Sequence, residues 1–133
     1  MPPEMRIIFN GDQKVIAEYK GFRIETDQPI YAGGQGSAPA PFDLFLASIG
    51  TCAGYYVFAF CRQRNLPLED VYVTLKTIIN REAKRIDKIV IEVHLPEGFP
   101  DKYNQAILKA IDQCAVKKHI VESPEFELKT VKD

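Results

Sequence analysis

Pro41-Phe42-Asp43-Leu44-Phe45-Leu46-Ala47-Ser48-Ile49-Gly50-Thr51-Cys52-Ala53-Gly54-Tyr55-Tyr56-Val57-Phe58-Ala59-Phe60-Cys61 decides the fold of this 133-residue chain. Pro41 suits a first helical position, where its missing N–H leaves nothing unpaired. Asp43 is the sole charge until Arg62, and Arg62, Arg64 and Pro67 form a helix exit, with cations at the negative end of the dipole. The predicted helix is roughly 35 Å long at ~1.5 Å per residue. It is apolar on nearly every side, so it should be buried on nearly every side. The remaining chain is too small to do this alone, which points to a partner chain. A membrane span is the rival reading, since Leu44 to Cys61 is near the spanning minimum. Ser48, Gly50, Thr51, Gly54, Tyr55 and Tyr56 dilute it, and the flanks read as strands and helices, so a buried central helix is the stronger expectation.

Around this helix the pattern alternates between periods. Arg6–Phe9, Lys14–Tyr19 and Phe22–Thr26 read as a three-stranded antiparallel meander with turns at Asn10-Gly11-Asp12 and Lys20-Gly21. A Gly- and Pro-rich loop, 27–40, reads as a flexible entry to the helix. Beyond it, Val71–Ile79 and Ile86–Leu95 read as a second hairpin. Asp101 is a candidate N-cap for a helix with Tyr103, Ala106, Ile107, Ala110, Ile111 and Cys114 on one face. One or two turns follow over 116–121, and Glu125–Val131 alternates as a last strand. The order implies an α+β fold with antiparallel sheets, in a single domain over 1–133.

The charges, 17 basic against 18 acidic, are interspersed and give no case for nucleic acid or an anionic membrane. Met1-Pro2-Pro3-Glu4 does not read as a signal peptide, and three cysteines do not make a secreted disulfide framework, so the cytoplasm is expected. No Cys-x-x-Cys occurs and His94 and His119 are isolated, so no metal is expected. Gly33-Gly34-Gln35-Gly36 lacks phosphate-loop or dinucleotide spacing, so no cofactor is expected either.

The cysteines carry what chemistry is visible. Cys52 lies mid-helix, and Cys61, nine residues on, falls on the opposite side. Cys114 is on the apolar face of another helix. Cys52–Cys114 is the pairing this geometry favours; the alternative is that all three are small buried hydrophobes, which is retained for Cys61 beside Val57, Phe58 and Phe60.

Gly33-Gly34-x-Gly36-x-x-Pro39-x-Pro41-x-Asp43-Leu44, leading into Gly50-Thr51-Cys52 and followed by Cys114-x-Val116-Lys117, resembles the OsmC/Ohr superfamily of osmotically inducible and organic hydroperoxide resistance proteins. The resemblance covers most of the chain. It implies an intertwined homodimer with antiparallel sheets wrapped around two long central helices. It also implies a thiol-dependent peroxidase of the oxidative stress response. Cys52 would be peroxidatic and Cys114 resolving, with an external thiol or dithiol as reductant. Phe42, Asp43, Phe45 and Tyr56 are the candidate contacts to an apolar, organic hydroperoxide. Where Ohr members carry a glutamate after the proline, this chain has Phe42. The turn that should supply an activating arginine, Gly11-Asp12-Gln13-Lys14, has none, which leaves Lys14, Arg6 or Arg23 as candidates. The same cavity in a non-catalytic binder of a small apolar ligand, and a thiol–disulfide redox sensor, are the competing expectations.

Overall fold

The computed structural model describes residues 4–133; the N-terminal reading at Met1-Pro2-Pro3 lies outside them. The fold is α+β with two small antiparallel sheets, as expected. The chain divides into two compact units, residues 1–47 and 48–133.

In the first unit β1 (Arg6–Phe9), β2 (Val15–Tyr19) and β3 (Phe22–Thr26) form the meander, ordered β1-β2-β3. Ile16 on the central strand is its buried residue, 1% exposed. The loop after β3 is not the flexible entry expected of its glycines. Asp27 is buried, and its carboxylate accepts hydrogen bonds from the backbone N–H groups of Gln28, Gln35 and Ser37 and from the Ser37 hydroxyl, at 2.8, 3.2, 3.1 and 2.7 Å. Those donors, the Ser37 hydroxyl foremost, outweigh burial and hold its pKa at about 2. The loop doubles back so tightly that a Cβ on Gly34 would stand 2.0 Å from the carbonyl oxygen of Gln28. It then delivers Ala40 to the start of α1 (Pro41–Gln63). Asp43 reaches back to accept from the Ala40 N–H at 3.0 Å, the acidic half of a capping box.

In the second unit the same helix supplies the core. Ala53, Val57, Phe60 and Cys61 pack with Phe99, Ile107 and Ile111, flanked by Val73, Ile91 and Val93 of the second sheet. That sheet pairs β4 (Tyr72–Asn80) with β5 (Arg85–His94), with a register shift at Ile78/Ile79. α1 ends in a Schellman motif: Asn65 is left-handed at φ 54°, its N–H donates to Arg62 O, and Leu66 N–H reaches back to Cys61 O at 2.9 Å. Arg64 lies over the Phe60 ring at 3.6 Å and donates to the Phe60 carbonyl, the predicted cation at the helix end.

Several expectations give way. Asp101 does not cap a helix; it opens a 3-10 turn after Pro100, and α2 follows over Asn104–Ile111. Cys114 does not extend α2. The helix closes through Cys114 N–H to Ile111 O, and Cys114 becomes the residue before α3 (Ala115–Val121). Residues 125–131 form no strand: Phe126, Leu128 and Val131 are exposed. A strand needs a neighbouring edge to take its backbone groups, and among the described residues no strand pairs with this segment. Nor is α1 buried on nearly all sides. It is long and apolar enough to cross a membrane by length and composition, yet only 28% of its apolar window is buried within the chain, and Tyr55 and Phe58 remain exposed.

Two substitutions test the loop. Gly34→Ala should cost about 2 kcal/mol or more in denaturant unfolding, because backbone must move, whereas Gly98→Ala, with no atom within 4 Å of the new Cβ, should not. Asp27→Asn should lower the melting temperature at neutral pH. Its depressed carboxyl stabilises the fold above about pH 4, and that stabilisation is lost as pH falls toward about 2. The gap between variant and parent should therefore close over that interval; a constant gap would show that the charge is immaterial.

Candidate functional site

The second unit brings Cys52 and Cys114 together. Cys52 points from the middle of α1 toward the break between α2 and α3, where the Ile111 carbonyl bond and the extended ψ of Cys114 (122°) turn the chain. The two sulfurs are free thiols joined by an S–H···S hydrogen bond from Cys52 to Cys114. Cys61 is elsewhere: it is fully buried and burial pushes its thiol up, the behaviour of a core residue.

Burial raises the Cys52 thiol, and the hydrogen bond it donates to Cys114 raises it further. Burial also pushes Cys114 up, but the bond from Cys52, the N–H groups of Lys117 and Val116, and the charge of Lys117 together bring it below the ordinary thiol value. These N–H groups act as the positive end of the first turn of α3, without a side-chain capping bond of standard geometry. Within the pair Cys114 is thus the more readily ionised sulfur and Cys52 the less. In exposure the order reverses, with Cys52 half-buried and Cys114 buried.

Cys114 lines a cavity of about 310 Å³. Its walls are aliphatic, with Ile49 from α1, Ile89 and Ile91 from β5, Leu108 and Ile111 from α2, and Ile120 from α3; Asp112 and Lys117 complete the lining. Lys117 Nζ is paired with Asp112 Oδ1. Such a space has room for an apolar group of modest size with one end at Cys114; Cys52 is not among its walls.

The other predicted residues are placed as follows. Ile49 of α1 lines this cavity. Tyr56 lines a different one, about 440 Å³, with Tyr55, Phe60, Arg64, Lys109 and Gln113. Phe42 and Phe45 sit on the first turns of α1 with ring centroids 5.3 Å apart, and Asp43 is engaged with Ala40. Of the three cations suggested for thiol activation, Arg23 pairs with Glu18 and Glu25. A further cation, Lys117, which was not among those suggested from the sequence, lines the cavity with Cys114. A readable signal existed in Asp112-x-Cys114-x-x-Lys117, opposite charges flanking a cysteine at a helix break. His94 bonds Thr74 Oγ1 at 2.9 Å and stacks on Tyr72, while His119 bonds the Ala115 carbonyl, so both are hydrogen-bonded residues.

A family model for OsmC-like proteins matches residues 34–129. The chain belongs to the OsmC-like family. Solved structures share its fold at low identity. An OsmC-like protein of Mycoplasma pneumoniae is 9% identical with a TM-score of 0.71, over 92% of this chain and 89% of that one. An organic hydroperoxide resistance protein OsmC of Legionella pneumophila is 19% identical with a TM-score of 0.58, over 90% and 89%. An organic hydroperoxide resistance protein of Elizabethkingia anophelis, bound to thiocyanate, is 18% identical with a TM-score of 0.57, over 87% of each chain. No curated protein matches the sequence.

The site makes a labelling prediction. Iodoacetamide at about pH 7.5 should alkylate the Cys52–Cys114 pair in the native protein and leave Cys61 untouched until the fold is denatured. In Cys52→Ala, Cys114 loses its hydrogen-bond donor, so its thiol rises and the pH midpoint of its alkylation shifts upward. An unchanged midpoint, read by peptide mass, would mean that the two sulfurs do not share a proton.

Proposed function

We propose that this OsmC-like protein is a thiol-dependent peroxidase that reduces organic hydroperoxides with Cys52 and Cys114, acting as a cytoplasmic homodimer of single-domain chains spanning 1–133. The observation that carries the reading is the hydrogen-bonded pair of free thiols beside an aliphatic cavity. Cys52, the more exposed sulfur, is the attacking one. Its proton passes to Cys114 along the S–H···S bond, and the Cys52 thiolate attacks the terminal peroxide oxygen. An S–O bond forms, the O–O bond breaks, and the departing alkoxide takes up a proton to leave as an alcohol. Cys114 then attacks the sulfenic sulfur; an S–S bond forms and the oxygen leaves as water. An external thiol or dithiol reduces the disulfide, and two protons return to the cysteines. Apolar walls favour organic over hydrogen peroxide. Phe42, Asp43 and Phe45 are retained as substrate contacts, a role supported by the exposed aromatic surface at Phe42 and Phe45; Tyr56, in the separate cavity, is not.

The homodimer is supported by what one chain leaves uncovered. Tyr55 and Phe58 form an exposed aromatic pair on α1, with centroids 6.4 Å apart, and the alternating 125–131 segment is unpaired among the described residues. Phe58→Asp should convert a dimer to a monomer in sedimentation velocity; an unchanged dimer would exclude this face as the interface.

For the chemistry, one equivalent of cumene hydroperoxide should remove two free thiols per chain and create a Cys52–Cys114 link in the peptide map. With excess dithiol, turnover should fall at least about 100-fold in Cys52→Ser. Consumption as fast in that variant as in the parent sinks the proposal. Unreacted thiols with a bound apolar probe would favour the non-catalytic binder, and a disulfide without turnover the redox sensor.

A further inference from the structure

The thiol pair needs a positive neighbour, and the second unit supplies one from an unexpected place. Lys117 stands in the first turn of α3, three residues after Cys114, and lines the same cavity as that sulfur. Its ammonium is not loose: it is paired with Asp112, which stands two residues before Cys114 and lines the same cavity. The break between α2 and α3 therefore carries, within six residues, an anchor, a sulfur and a cation. We infer that Lys117, held in place by Asp112, is the positioning cation that stabilises the negative charge of the Cys52–Cys114 pair, a role resting on the dithiol reading above.

Physical chemistry sets the size of the effect. The Lys117 side chain is half exposed, 52%, so water and salt screen its field. The contribution is that of a partly screened pair rather than a buried one: a few-fold in thiolate population, sensitive to ionic strength. The backbone N–H groups of Val116 and Lys117 act on the same sulfur but are fixed in the helix and persist in any side-chain variant. The side-chain share is thus separable from the share of α3. Asp112 spends the lysine's charge at the cavity rim, so the pair orients the ammonium without leaving a free cation in an aliphatic pocket.

The test uses the full chain and no peroxide, so its failure is distinct from failure of the peroxidase reading. The rate of Cys52 and Cys114 alkylation by the neutral reagent iodoacetamide is followed against pH and salt for the parent, Lys117→Met, Lys117→Arg and Lys118→Met. Lys117→Met should slow alkylation at neutral pH about threefold and shift its pH midpoint upward. Lys117→Arg should restore the parent profile, because it keeps the charge. The parent's midpoint should rise between about 10 mM and about 1 M salt, as the screening length falls from ~30 to ~3 Å, and Lys117→Met should lose most of that dependence. Lys118→Met, a neighbouring charge outside the cavity lining, should match the parent. Equal midpoints and salt slopes in parent and Lys117→Met overturn the inference, as does a Lys118→Met profile that shifts as far as that of Lys117→Met. If Lys117→Met is unfolded by circular dichroism, the parent's salt dependence and its absence or presence in Lys117→Arg decide instead: a salt-independent parent overturns the assignment.

Discussion

Everything in the second unit depends on covering one helix. α1 runs 23 residues with a single acidic side chain in its first turn and a single basic one in its last, and water offers no favourable place for the surface between. The unit answers with α2 and the β4–β5 hairpin, which together seal the face bearing Ala53, Val57, Phe60 and Cys61. A face bearing Tyr55 and Phe58 stays open. The Schellman turn at Asn65 and the stacked Arg64 close the helix where its apolar run ends.

That packing sets the chemistry. Because α1 is buried along the Cys52–Ala53 side, the chain crossing it at Gln113–Ala115 must bring a backbone break into the core. A break there exposes the unpaired N–H groups at the start of α3 to whatever sulfur lies nearby. Two thiols in such a place share one proton more readily than two isolated ones. Burial opposes ionisation of both thiols, while the bond from Cys52 and the N–H groups at the start of α3 favour it at Cys114. The cavity beside Cys114 is walled mainly by aliphatic side chains.

Much of this was legible in the sequence, and the misses share a cause. The meander, the long helix and the second hairpin each follow from local periodicity and turn residues, which act over a few neighbours. The loop at 27–40 read as flexible because its glycines are permissive in isolation. Buried Asp27, which makes them obligatory, draws on donors up to ten residues away. Cys114 read as the end of a stripe because periodicity continues through it, but helix termination is decided by where the Ile111 carbonyl finds its partner. The segment 125–131 has the alternation of a strand, yet alternation specifies a face and does not provide an edge to bond. Lys117 stands three residues beyond Cys114, yet that it lines the same cavity as the sulfur is visible only once α3 is placed.

The amino-acid sequence by itself determined the fold class, the central helix with its ends, and the two cysteines worth pairing, because hydrophobic period, proline and glycine positions and side-chain chemistry are local properties. Only the tertiary structure decided that Cys114 sits at a helix start rather than a helix end, that Lys117 and Asp112 share its cavity, that Tyr56 belongs to a different cavity, and that Asp27 pins the entry loop. Each of these depends on which backbone donor or side chain arrives from elsewhere in the chain. That is a matter of packing in three dimensions, and no window of neighbouring residues encodes it.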